Sequence, residues 1–158
     1  MFFKGGKMSE IGTISTGWME GAVHNMQVRV YYADTDAEGV VYYANYLVYA
    51  ERARTEFLRS IDFEQQANYE KTKSGFMMKS CNIDYVSSAK VDDVVTIKTW
   101  VKSFKAASIL IKQEMYLGEK LITSLEIVSV YVNLEKHRPC KLPNLLTEKL
   151  HNFINMNN

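Results

Sequence analysis

The sequence predicts an α+β domain in which an antiparallel sheet of about five strands packs against one long helix. Three observations lead there. Residues 77–85, 94–102, 108–116 and 120–134 are rich in Val, Ile, Thr and aromatics, and most of these runs alternate. Residues 44–60 instead carry an apolar stripe, Tyr46, Ala50, Ala53 and Phe57, that returns every three or four positions. The links between the later strands are too short for a parallel return, which needs a dozen residues or more.

Taken in order, the chain opens on a stretch holding Gly5, Gly6, Gly12, Gly17 and Gly21 among Ser, Thr and scattered apolar residues. Residues 1–25 read as a flexible N-terminal extension or an over-long start, since Met8, Met19 and Met26 could each initiate. The alternative is that Trp18 anchors part of it on the domain. Residues 26–158 form the single domain. Val28, Val30 and Tyr32 alternate with Arg29 and Tyr31 as a first strand, which ends in the turn-forming run Asp34-Thr35-Asp36-Ala37-Glu38-Gly39.

The helix over residues 44–60 follows, with Glu51–Arg54 and Arg52–Glu56 pairs on its outer face. Its alanines allow a sheet to approach closely. Residues 63–71 suggest a short second helix. Four strands then form a meander, with Gly118 in a tight hairpin. Pro139 and Pro143 end the sheet, and Leu146, Leu150 and Phe153 mark a terminal helix. Five strands with one long helix leave sheet edges bare, so a dimer is expected.

Composition narrows the function. With 158 residues, 47% hydrophobic and 23% charged, the chain has material for a packed core and is neither disordered nor collagen-like. Lys and Arg number 19 against 18 Asp and Glu, a net charge of +1 that gives no field to recruit nucleic acid or an anionic membrane. Cys81 and Cys140 lack CxxC spacing and read as reduced thiols. His24, His137 and His151 are scattered, so no metal or cofactor motif is expected. No apolar run suffices for a membrane span or signal peptide, and a cytoplasmic location is expected.

The densest polar constellation is Asp34 to Gly39. As a calcium loop it fails, because the position that needs a bidentate Glu holds Asn45 and no helix precedes it. As a plain turn, it would use Asp and Thr side chains to cap amides and Gly39 to supply a left-handed residue. As a catalytic element, one carboxylate would face the unpaired N–H groups that open the helix near Tyr43 or Ala44. An acid opposite an oxyanion site suits acyl transfer, and thioesters in particular. A thiolate with a pKa of about 8.5 leaves readily, and an aspartate is ionised at neutral pH without special tuning.

The run Val30 to Tyr46, continuing through Glu51-Arg52-Ala53-Arg54-Thr55-Glu56, resembles the Tol–Pal-associated acyl-CoA thioesterases of the 4-hydroxybenzoyl-CoA thioesterase-like branch of the hotdog fold. The resemblance covers roughly residues 26–150. It implies a hotdog fold, a helix wrapped by an antiparallel sheet, and dimers with sites at the subunit interface, often paired into tetramers. It implies that Asp36 is the catalytic carboxylate and that the Tyr43 backbone N–H is the oxyanion donor. Many members have His where this chain has Tyr43. The backbone role survives that change, whereas a side-chain role such as orienting water does not.

The same resemblance sets Tyr32 near the acyl pocket and Asn45 as a hydrogen-bonder at the helix start. Val41 completes the motif's substrate-binding set. Lys90, Lys102 and Lys105 could meet the phosphates of CoA, or simply be solvated. Glu51 and Glu56 on the helix are rival acids, more simply read as helix-surface ion pairs.

The function expected is hydrolysis of short- or medium-chain or aromatic acyl-CoA, without cofactor. The alternative is a non-catalytic module that binds acyl-CoA or acyl carrier protein beside an envelope or lipid-synthesis complex.

Overall fold

The structure is a computed structural model that describes residues 16–157. Seven strands form one antiparallel sheet, and β1 (Trp18–Glu20), β2 (Val23–Arg29), β3 (Ser74–Tyr85), β4 (Val94–Phe104), β5 (Ser108–Leu117), β6 (Lys120–Asn133) and β7 (Arg138–Pro139) follow one another in the chain. The helices are α1 (Asn45–Ser60), α2 (Gln65–Thr72) and α3 (Asn144–Asn157). Five strands are long and two are short, so the expected α+β sheet of about five strands carries two short additions.

Across the sheet the order is β1-β2-β4-β5-β6-β3, with β7 on β6. The two tight links make β4, β5 and β6 a true meander. The strand before them departs from expectation. β3 pairs with β6 from Ser74↔Asn133 to Tyr85↔Thr123, not with β4. Residues 86–93 hold no two-residue hairpin turn, so nothing forces β3 and β4 together. The link instead crosses to the far side, and β4 docks on β2 from His24↔Thr99 to Arg29↔Val94.

The N-terminal boundary also moves. Residues 1–15 of the expected extension lie outside the described residues, but pairing begins at Trp18↔Asn25. Burial explains this, because Ala22, His24, Asn25 and Met26 are all interior. Gly17 permits the entry: its φ is +99°, and a Cβ there would run into the Asn25 carbonyl.

The helix stripe does what its spacing predicts. Tyr46, Ala50, Ala53 and Phe57 are buried to 3% exposure or less; the first three pack with Val95, Ile97, Met115 and Leu125 from the inner sheet face, and Phe57 packs with Val101, Ile109 and Ile111. Small side chains bring helix and sheet backbones close enough for Gln113 of β5 to donate to the Ala50 carbonyl at 2.9 Å.

The expected outer-face ion pairs do not form. Arg54 turns inward and donates to the Gln113 side-chain oxygen at 2.9 Å. Glu56 pairs instead with Arg59 at 3.1 Å and accepts the Thr16 N–H at 2.9 Å. At the far end of α1, Leu146 and Leu150 of α3 close the core over Phe57 and Val101.

Candidate active site

The motif between β2 and α1 folds as a turn, a small ladder and an uncapped helix start. Residues Tyr32–Asp34 make one 3-10 turn, fixed where the Asp34 carboxylate accepts the Tyr31 N–H at 2.9 Å. Thr35 then bridges Val41, and Val40 bridges Lys90. Between them Asp36 donates its N–H to the Val40 carbonyl at 2.9 Å, and Gly39 donates back to the Asp36 carbonyl at 3.0 Å. Gly39 closes this turn with φ +78°, where a side chain would be strained.

The two aspartates therefore separate. Asp34 serves the scaffold. Its carbonyl accepts the Tyr42 N–H at 2.9 Å and the Asn45 side-chain amide at 2.8 Å, and its carboxylate lies beside the Tyr49 phenol. Burial first, and then that carboxylate, push the Tyr49 phenol far up. Asp36 sits half-buried at the corner of the turn. Its Oδ1 accepts the Glu38 N–H at 3.0 Å, and among the described residues its Oδ2 has no donor.

Across the same ladder, α1 opens at Ala44 without a side-chain cap. Among the described residues the N–H groups of Tyr43 and Ala44 have no acceptor. Unpaired amides at a helix start are where negative charge is best received. A carboxylate oxygen and two unpaired amides are thus fixed on one ladder.

The other motif residues divide. Asn45 sits at the helix start and binds as a scaffold residue. Tyr32 is 84% exposed in the single chain. Val41 is 3% exposed and packs in the core with Val30 and Tyr46. Lys90 is exposed beside the ladder through its bridge to Val40. Lys105 lies at the opposite end of β4, on the hairpin to β5, and one chain does not bring it to Asp36.

Of the rival helix acids, Glu56 is occupied by Arg59 and Thr16. Glu51 lines a slot of about 160 Å³ with Arg54, Thr55, Phe76 and Met78. A residue outside the motif also reaches the site. Tyr85, the last residue of β3, donates its phenol to the Tyr43 carbonyl at 3.1 Å. No local signal announces a contact spanning 42 residues.

Residues 30–150 match the model of the Thioesterase-like superfamily. The chain belongs to that superfamily. It is 40% identical over 126 residues to the acyl-CoA thioesterase YbgC of Haemophilus influenzae, covering 80% of this chain and 93% of that protein. Against the acyl-CoA thioesterase YbgC of Helicobacter pylori the identity is 35% over 134 residues, covering 79% and 98%. Among solved structures, a probable thioesterase from Bartonella henselae superposes with a TM-score of 0.74 at 35% identity, covering 77% of this chain and all of that one (100%). The matched span contains the whole ladder from Asp34 to Asn45 and every long strand after it, so the superfamily's scaffold is the one that carries Asp36 and Tyr43.

Proposed function

We propose that this thioester hydrolase cleaves acyl-CoA to the free acid and CoA, with Asp36 as its catalytic carboxylate and the Tyr43 N–H as its oxyanion donor. The observation that carries the reading is that a carboxylate oxygen and an unpaired helix-start amide hang on one hydrogen-bonded ladder. Asp36 either attacks the thioester carbonyl or takes a proton from a water that does. The carbonyl oxygen gains negative charge and is received by the Tyr43 amide. The carbon–sulfur bond then breaks, and CoA leaves as a thiolate that takes up a proton; where Asp36 was the nucleophile, water then hydrolyses the acyl-Asp36 anhydride, which frees the acid and restores the carboxylate. Because the backbone amide performs the polarising, Tyr serves at position 43 where many relatives of the motif hold His.

The substrates in this reading are short- or medium-chain or aromatic acyl-CoA, with acyl carrier protein a second possible donor. Lys90, exposed beside the turn, suits a CoA phosphate. The cell compartment and association with the Tol–Pal system implied by the motif's resemblance belong to the same proposal, and co-purification of the full chain tests the association.

We also infer a homodimer, and pairs of dimers, from the edge of the sheet. β3 runs for 12 residues with its outer edge unpaired among the described residues, and Met77 and Met78 beside it are 54% and 48% exposed. A long apolar edge invites pairing with a second copy.

The test is CoA release from a panel of acyl-CoAs by wild type, Asp36→Asn and Glu51→Gln. The expected result is release by wild type and Glu51→Gln, with a loss of about 10²-fold or more in Asp36→Asn. Release by Asp36→Asn but not by Glu51→Gln would move the chemistry to the helix. No release by any form would favour the non-catalytic binding module.

A further inference from the structure

We propose that Tyr85 is a positioning residue for this site: its phenol, reaching over from the end of β3, fixes residue 43 so that the Tyr43 N–H faces the reacting carbonyl. The inference rests on the reading of Asp36 and Tyr43 given above. It starts from the hydrogen bonds on either side of the Tyr43 Cα. The peptide plane that carries the Tyr43 N–H is held at its own carbonyl, since Tyr42 O accepts the Asn45 N–H at 2.8 Å. The next plane, which carries the Tyr43 carbonyl, lies outside the helical ladder. Leu47 donates to Ala44 O at 3.1 Å and not to Tyr43 O.

Among the described residues, the hydrogen bond that reaches the Tyr43 carbonyl is the Tyr85 phenol at 3.1 Å. Both planes are thereby fixed, and with them the φ and ψ of residue 43. An uncapped helix start lacks the side chain that usually holds such a segment, and Tyr85 supplies that restraint from another element.

The ring is itself held in place. It meets Tyr43 edge-on at 6.4 Å and Tyr46 at 5.8 Å between centroids. Tyr46 in turn accepts the Ala89 N–H at 3.1 Å, and Ala89 O accepts the Val41 N–H at 2.9 Å. The β3–β4 link, the motif ladder and the first turn of α1 are thus joined through two tyrosines. Burial, and then Cys81, Tyr43 and Tyr46, push the Tyr85 phenol above its ordinary value, so it remains a donor at neutral pH.

Precise placement of a donor matters most in the transition state, so losing the phenol should lower kcat and spare KM. The experiment compares wild type, Tyr85→Phe, Tyr85→Leu and Asp36→Asn for kcat, KM, melting temperature and elution volume. We expect Tyr85→Phe to lose about tenfold in kcat, below the full cost of a lost oxyanion donor. Its KM should stay within about twofold, with wild-type melting and elution, and Tyr85→Leu should be slower and also less stable. Tyr85→Phe with wild-type kcat overturns the inference, as does a parallel fall of kcat and melting temperature. If Asp36→Asn is inactive while Tyr85→Phe is normal, only the role of Tyr85 falls. If Asp36→Asn still releases CoA, the reading of the site fails and takes this one with it.

Discussion

Asn45 donates its side-chain amide to the Asp34 carbonyl at 2.8 Å, which ties the first residue of α1 to the turn that precedes the ladder. The Tyr42 N–H shares that carbonyl at 2.9 Å, so one backbone oxygen anchors both arms of the site. Asn45→Ala should therefore loosen the placement of Asp36 relative to Tyr43. One lost hydrogen bond costs about 1 kcal/mol, roughly 2–4 °C in Tm for a domain of this size. The activity loss should exceed what that stability change explains, and steady-state kinetics beside a thermal melt would show it. Equal activity in Asn45→Ala would mean that the Tyr42 bond suffices.

Gln113 is fully buried and saturates three partners. It donates to Ala50 O at 2.9 Å and Thr99 Oγ1 at 3.0 Å, and accepts from Arg54 at 2.9 Å. Burial pulls the Arg54 pKa down, but its charge persists and needs an acceptor. Gln113→Leu keeps the volume roughly and removes every partner. A loss of about 2–4 kcal/mol is expected, measured as a shift of the urea midpoint. A midpoint within about 0.5 kcal/mol of wild type would show that Arg54 finds another acceptor.

Ala53 is fully buried where α1 lies against the sheet. Ala53→Leu forces the helix outward and should cost about 1–3 kcal/mol or more by overpacking. Because α1 carries the helix-start amides, kcat should fall with it. Denaturation and kinetics on the same preparation test both parts, and an unaltered midpoint would contradict the close approach.

His24 is buried against Phe57, and neither ring nitrogen makes a hydrogen bond among the described residues. Burial lowers its pKa, while the Thr16 backbone and the Glu56 carboxylate pull partly the other way. The unfolded chain, with a value of about 6.5, then binds the proton first. The stability from neutral His24 is full above that pH and is lost as pH falls through the folded-state value, at up to about 1.4 kcal/mol per pH unit. Urea midpoints between pH 7.5 and pH 5 should drop in wild type and drop less in His24→Asn. Matching slopes in the two proteins would remove His24 from the acid response.

Periodicity and composition sufficed for the helix with its buried face, the strands after it and the α+β class, because side-chain spacing records which face meets the core. The motif marked one carboxylate of the Asp34–Gly39 turn and a helix start near Tyr43 or Ala44, because both are local features of the chain, while the family resemblance is what singles out Asp36 and the Tyr43 amide. What tertiary structure alone decided is non-local. Nothing near Arg54 in sequence says that it turns inward to Gln113, and nothing near residues 86–93 says that β3 crosses to β6. Val41 reads as part of the binding motif, and only the fold shows it buried beside Val30 and Tyr46, with Lys105 at the far end of β4. The phenol of Tyr85 meets residue 43 only because the sheet brings the end of β3 beside the first turn of α1. Hydrophobic periodicity specifies each element and its buried face, while the partners of single polar groups depend on which strand finally lies opposite.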